Sequence, residues 1–298
     1  MVSIPEHALK LVDSSLSQTL EEYSHTLFIT GSKNVGKTTL LYSFLDKTDT
    51  LRETLVLEYS FGRKSRQSGE IEKTLCHIWE YGGKLNILKN TMSSIPIQGK
   101  YFLLVMVDLS KIKSIWDTIE TCLRTMYDTY SKNNYPEVIL IGGKYDIFKN
   151  YDGEIKKFIC TSIRGLGILH NASVLFCSNK EQQLLRRAKE MLYNIGFGNN
   201  ATIKDKNTNY TKPLSIPKGS DSWESIGIAP STLDKLKIRH ISRIASDIET
   251  NDVAEIASQR NAHAEPDLDT LVASKYNEIR NMAAIDSSVD DYLLTLHK

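Results

Sequence analysis

Two rhythms of apolar residues run along this chain from about residue 25 to residue 197. Short, nearly unbroken apolar runs predict strands at Leu27–Thr30, Thr54–Ser60, Thr74–Glu80, Tyr101–Asp108, Glu137–Gly142 and Ala172–Cys177. The runs Tyr101–Val107 and Val138–Ile141 are apolar at successive positions, as in central strands covered on both faces. Between them, spacings of three and four predict helices over Lys37–Leu45, Ile112–Tyr130, Gly153–Ile163 and Lys180–Ile195. In the second of these Ile112, Ile115, Trp116, Ile119 and Leu123 share one face, which places Trp116 in a core. Strands alternating with helices predict an α/β fold with a six-stranded, mostly parallel sheet under helices on both sides.

The flanks carry apolar residues that such a sheet does not use. Leu9, Val12, Leu16 and Leu20 fall at helical spacing, so residues 1–24 read as a flanking helix and residues 25–198 as the main domain. After Gly198 the chain turns polar, and residues 199–230 read as an extended linker punctuated by Pro213, Pro217, Gly219 and Pro230. Its Leu214, Ile216, Trp223 and Ile226 need a surface to pack on, either the domain or a partner. Residues 231–298 read as helices, with one stripe of Leu233, Leu236, Ile241, Ile244 and Ile248 and a second of Leu268, Leu271, Val272, Tyr276, Ile279 and Met282. Either stripe suits docking on the domain or on another chain, because an isolated apolar helix face is unstable in water.

Charge narrows the partners. Across 298 residues the formal net charge is +1 with no long basic block, which disfavours nucleic acid or an anionic membrane as the main partner. No run approaches a membrane span, and Met1–His7 lacks the layout of a secretion signal, so a cytosolic chain without membrane insertion is expected. Cys76, Cys122, Cys160 and Cys177 form no C-x-x-C pair and the histidines are dispersed, which argues against zinc and disulfides.

The candidate chemistry lies directly after the first strand. Gly31-Ser32-Lys33-Asn34-Val35-Gly36-Lys37-Thr38 fits G-x-x-x-x-G-K-[ST], and Thr39 continues into a helix. Small residues there let successive backbone N–H groups curl around a phosphate at a helix N-terminus. Lys37 would reach the outer phosphates and the Thr38 hydroxyl would meet Mg²⁺.

Six strands with the loop after the first resemble a small Ras-like GTPase. The resemblance implies that Gly143-Lys144-Tyr145-Asp146 stands for the family's Asn-Lys-x-Asp, with Asp146 accepting from guanine and the Lys144 stem covering the ring. Ser178-Asn179-Lys180 stands for its Ser-Ala-Lys base loop. It implies GTP or GDP with Mg²⁺, or a site that has fallen empty. Gly143 lacks the amide that ties the base to the phosphate loop, which should weaken affinity. Glu80-Tyr81-Gly82-Gly83 stands for Asp-x-x-Gly, and Lys84 replaces the water-orienting glutamine. A lysine accepts no hydrogen bond from an attacking water, so hydrolysis is expected to be slow or absent. Thr48, Thr50 and Thr54 are the candidates for the γ-phosphate threonine.

Longer segments carry a narrower likeness. Leu57–Lys64, His77-Ile78-Trp79-Glu80-Tyr81-Gly82-Gly83 and Lys218-Gly219-Ser220-Asp221-Ser222-Trp223 resemble the light intermediate chain family of cytoplasmic dynein. Within it they resemble the branch serving the second dynein, the retrograde intraflagellar transport motor; an end at Lys298, without a long adaptor-binding extension, points the same way. The resemblance implies a non-motor, non-enzymatic subunit bound to the dynein 2 heavy chain, beside other dynein 2 subunits and the intraflagellar transport machinery. It places the chain in the cytoplasm, cilium and basal body, on the microtubule cytoskeleton. Leu9, Val12, Leu16, Leu214, Ile216, Trp223 and Ile226 are the expected heavy-chain contacts. A Ras-like switch acting on transport is the alternative, and a small-molecule phosphotransferase a weaker third, since no acceptor pocket or lid arginines can be found.

Overall fold

The computed structural model describes residues 24–65, 73–131, 135–198 and 205–244, and within a separate second unit 270–272, 274–275 and 277–278. The first unit is built on seven strands: β1 Ser24–Gly31, β2 Leu57–Ser65, β3 Lys73–Tyr81, β4 Lys100–Asp108, β5 Glu137–Gly143, β6 Ser173–Phe176 and β7 Ser215–Ile216. Their order is β2-β3-β1-β4-β5-β6-β7, with β2–β3 and β6–β7 antiparallel and the remaining pairs parallel. The helices are α1 Lys37–Phe44, α2 Leu88–Ser93, α3 Ile115–Thr129, α4 Tyr145–Phe148, α5 Gly153–Leu169, α6 Gln182–Gly196, α7 Trp223–Ile226 and α8 Leu233–Arg243.

This is a Ras-like P-loop fold with one extra edge strand. Successive side chains of β4 and β5 point to opposite faces. Leu104, Met106, Ile139 and Ile141 join a core with Leu40 of α1 and Leu192 of α6. Leu103, Val105 and Leu140 join a second core with Trp116 of α3 and Ile159 of α5. Both faces are covered, which is why these strands read as continuous apolar runs. The chain leaves β1 between two parallel neighbours, β3 and β4, so the loop after Gly31 opens at a topological switch point, where α/β sheets bind ligands.

Of the boundaries that differ from the sequence expectation, two have a reason in the contacts. β2 starts at Leu57, not Thr54, because Thr54 turns inward and its carbonyl lies against Gly82. α5 runs to Leu169, well past Ile163. Gly165 and Gly167, in the added turns, give Leu236 and Val174 room to approach the helix.

The stretch read as linker is part of the fold over 205–227. Asn207 bridges Ser215, and β7 pairs antiparallel with β6, making the sheet seven-stranded where six strands were expected. Leu214 and Ile216 are 0% and 2% exposed in the core, so they cannot be heavy-chain contacts. An edge strand able to pair with β6 gave these side chains a home that composition did not reveal. Trp223 is half-buried, packed toward Gly165, and Ile226 is half-buried. A buried clasp fixes the stretch. The Arg164 guanidinium of α5 grips Asp221 through two bonds of 2.7 Å and donates to the Ser225 hydroxyl at 2.7 Å.

α8 docks through Leu236 and His240, with Leu233 and Ile244 beside them. Ile241, expected on the same stripe, is exposed, since the buried face follows residues 233, 236, 240 and 244. His240 is wedged between Trp116 and Phe158, with its Nδ1 3.4 Å from the Ser162 hydroxyl. The charges around this seat are Lys237, bound to Glu120 at 2.8 Å, and Arg243 over the Phe158 ring. Burial lowers the His240 pKa from 6.5 to about 4. A free imidazole binds its proton at the higher pH, so the docked form is unpenalised above pH 6.5 and loses stability as pH falls toward 4, by about 3 kcal/mol in all. We expect the protection factors of the α8 amides, which are corrected for the slower intrinsic exchange in acid, to fall on acidification from pH 7 to 5, and His240→Phe to remove that dependence. An equal fall in the variant would assign the effect to other groups.

In the second unit the described residues are helical, with Leu271 and Val272 exposed and Lys275 bound to Glu278 at 2.6 Å. Leu9, Val12, Leu16, Leu20, Ile248, Leu268, Tyr276, Ile279 and Met282 lie outside the described residues.

Candidate functional site

The loop between β1 and α1 has the backbone that phosphate cradling needs. Asn34 and Gly36 adopt left-handed conformations with φ of 57° and 100°. Gly31 has φ of 127°, and a Cβ there would stand 1.9 Å from the Met106 carbonyl, so only glycine fits. Ser32 N–H donates to that carbonyl at 2.8 Å, pinning the loop to β4. Lys37, Thr38 and Thr39 form the first turn of α1, with Val35 buried beneath and Lys33 outside, 3.2 Å from Glu53.

Lys37 is buried, and its ammonium donates to the Ser32 carbonyl at 2.9 Å. Burial lowers its pKa, and the Glu80 carboxylate opposes that shift. Glu80, near the end of β3, accepts from the Thr38 hydroxyl at 2.7 Å. Burial raises the Glu80 pKa, while the Thr38 bond and the Lys37 charge hold it down.

Thr54 completes this end. It is 5% exposed, and its hydroxyl has no hydrogen-bond partner among the described residues, although it lies near enough to Glu80 to favour the charged carboxylate. Thr48 and Thr50 point to solvent. Sequence could not choose among the three because the strand start was placed at Thr54 itself. Lys37, Thr38, Arg52, Thr54 and Glu80 line a cavity of about 310 Å³. Lys84 is exposed, and its carbonyl accepts from the Tyr81 hydroxyl. A larger cavity of about 410 Å³ lies along α6 beside Arg187 and Tyr193, and no residue of the phosphate loop lines it.

The base loops converge at the ends of β5 and β6. Asp146 accepts from the Ser178 hydroxyl at 2.7 Å and lies 3.4 Å from the Lys180 ammonium, while Lys180 N–H donates to Ser178 Oγ at 3.2 Å. Burial works to raise the Asp146 pKa, but the bonds from Ser178 and Lys180 prevail and hold it below the usual carboxylate range. Lys144, at φ 59°, sends its ammonium to the buried Asp108 at 2.6 Å. Asp108, at the end of β4, was missed by sequence reasoning; its signal was a carboxylate closing an apolar strand, two residues before the Ser110 that caps it.

The residues present suit a nucleoside polyphosphate with Mg²⁺. A buried ammonium and a helix N-terminus would meet phosphate, the Thr38 and Thr54 hydroxyls and Glu80 suit a hard cation, and the ionised Asp146 would accept from a purine's N–H groups. Bound Mg²⁺ would offset negative charge on the outer phosphates. Among the described residues no cluster of His, Cys, Asp and Glu is arranged to hold a metal by itself, and no helix is long and apolar enough to cross a membrane. The four cysteines are buried free thiols, with burial pushing Cys122 up to about 12.

No family model matches the chain. The cytoplasmic dynein 2 light intermediate chain 1 of Danio rerio is 32% identical over 237 residues, covering 68% of this chain and 66% of that protein. The Homo sapiens protein of the same name is 30% identical over 243 residues, covering 68% of each. The septum-promoting GTP-binding protein 1 of Schizosaccharomyces pombe is 29% identical over 148 residues, covering 50% of this chain and 71% of that one. The chain spans about two thirds of the length of the dynein 2 relatives.

Proposed function

The chain belongs to the light intermediate chain family of cytoplasmic dynein 2, and on that premise we propose that it is a non-motor subunit that binds the dynein 2 heavy-chain tail. In this reading it keeps the motor assembled for retrograde intraflagellar transport and cilium assembly, in the cytoplasm and at the basal body and cilium. The observation that carries the reading is similarity to relatives of that name over 68% of the chain. With Leu214 and Ile216 turned inward, the outer face of α8 is the better candidate contact: Ile238 is 69% and Ile241 43% exposed on it. Affinity purification from ciliated cells should recover dynein 2 heavy chain with this chain. Recovery with no dynein polypeptide would overturn the assignment.

For the cleft we propose a guanine nucleotide, GDP or GTP with Mg²⁺, held as a structural group with slow or absent hydrolysis. The ionised Asp146 and the likeness to a GTP-binding protein support guanine, and the exposed Lys84 supports weak hydrolysis. A GTP-dependent switch is the second reading. The buried, unpartnered Thr54 hydroxyl favours it, because a threonine so placed can report the presence of a γ-phosphate.

A further inference from the structure

The phosphate loop and the base loops touch through two side chains, each seated on a glycine of the other. Val35 of the phosphate loop lies on Gly143: a Cβ at 143 would stand 2.6 Å from Val35 Cγ2 and 3.1 Å from the Val35 carbonyl oxygen. Asn179, between Ser178 and Lys180, lies on Gly36: a Cβ at 36 would stand 2.2 Å from Asn179 Nδ2 and 3.3 Å from its Cγ. The first contact is apolar and closes the space above position 143. The second brings a carboxamide across from the loop that holds Asp146. The side chains flanking Asn179 are already engaged, since Ser178 and Lys180 both serve Asp146. The Asn179 amide itself is half-buried and has no hydrogen-bond partner among the described residues. A free amide fixed between a purine-reading carboxylate and a phosphate cradle has the position and the unused donors to serve a ligand that spans both.

We propose that Asn179 is the nucleotide-positioning residue of this cleft. Its side-chain amide spans the base loop and the phosphate loop, and does from β6 what Gly143 cannot do from β5. The inference rests on the nucleotide reading above and adds to it the residue on which affinity depends. Gly36 itself is required by its φ of 100°, and the Asn179 amide fills the space left beside it.

The test uses the full chain, with GDP and Mg²⁺ titrated by calorimetry and amide exchange of residues 32–37 followed without ligand. Asn179→Ala should bind GDP about tenfold more weakly, as expected for one lost polar contact. Asn179→Asp keeps the shape but replaces the donor with an anion beside the phosphates, so it should be weaker still. Gly143→Asn should bring no gain, because Val35 occupies its path. The inference is overturned if both Asn179 variants bind within twofold of wild type, if Asn179→Asp matches wild type while Ala does not, or if Gly143→Asn binds more tightly. Failure of the wild-type chain to bind GDP would refute the nucleotide reading and the ligand role of Asn179 together, whereas wild-type binding with indifferent Asn179 variants refutes the latter alone.

Discussion

Asp221→Ala is expected to lower the free energy of unfolding by about 3–5 kcal/mol, because it strands the Arg164 guanidinium in the interior without its counter-charge. The Arg164 and Asp221 side chains are 9% and 6% exposed, and the pair is bidentate, so water cannot replace the lost partner cheaply. Burial works to raise the Asp221 pKa, but the bonds from Arg164 and Ser225 hold it below the usual carboxylate range. Stability from this carboxylate is therefore present above its unfolded pKa and is lost as pH falls through the lower folded value. The damage should begin locally. The clasp joins α5 to the turn before α7, so protease cleavage between 205 and 227 should accelerate before the sheet melts. Urea denaturation of Asp221→Ala against the exposed control Glu224→Ala checks the magnitude. Replacing both partners with apolar residues of similar size, Arg164→Met with Asp221→Leu, should recover much of the loss, since the cost lies in the unpaired charge. A single variant within about 0.5 kcal/mol of the control would show that the clasp does not hold this segment.

The core sheet was legible because strands buried on both faces leave continuous apolar runs, and β1, β4 and β5 have no other way to be covered. The strap over 205–227 was not legible, for a different reason. Its two-residue strand, the carboxylate Asp221 and the prolines around it look like linker until Arg164, distant in sequence, is brought against them. Composition reports how much apolar surface a segment has, but not whether a neighbouring edge strand is free to take it. Gly165 and Gly167 lie in the part of α5 beyond its expected end at Ile163, where they leave room for Leu236 of α8 and Val174 of β6 against the helix. At the site, the motif residues were found because backbone geometry dictates them. Thr54, Asp108 and the placement of Asn179 on Gly36 depend on three loops meeting, which spacing alone does not encode.

Lys37→Met separates the two readings of the cleft, because it keeps the length of a buried side chain while removing its charge. The Lys37 ammonium is the charged donor buried in the phosphate loop, and its loss should weaken GDP binding by about a hundredfold or more, the equivalent of one or two charge-assisted bonds. Within the protein the change is gentler. Removing Lys37 ends the desolvation that depresses its own pKa, but it also takes away a charge that holds Glu80 ionised, so the Glu80 pKa should rise further and the carboxyl can keep its bond to Thr38 in either form. Thermal unfolding without nucleotide should consequently shift little, while the stabilisation that GDP confers on the wild type by mass action should vanish. If the nucleotide is only a structural filler, the variant will still recover dynein 2 heavy chain from ciliated cells at the wild-type yield. Loss of heavy chain from a variant that remains folded would mean that partner binding reads the occupied cleft, and the switch, with Thr54 as its sensor, would displace the scaffold as the account of this chain.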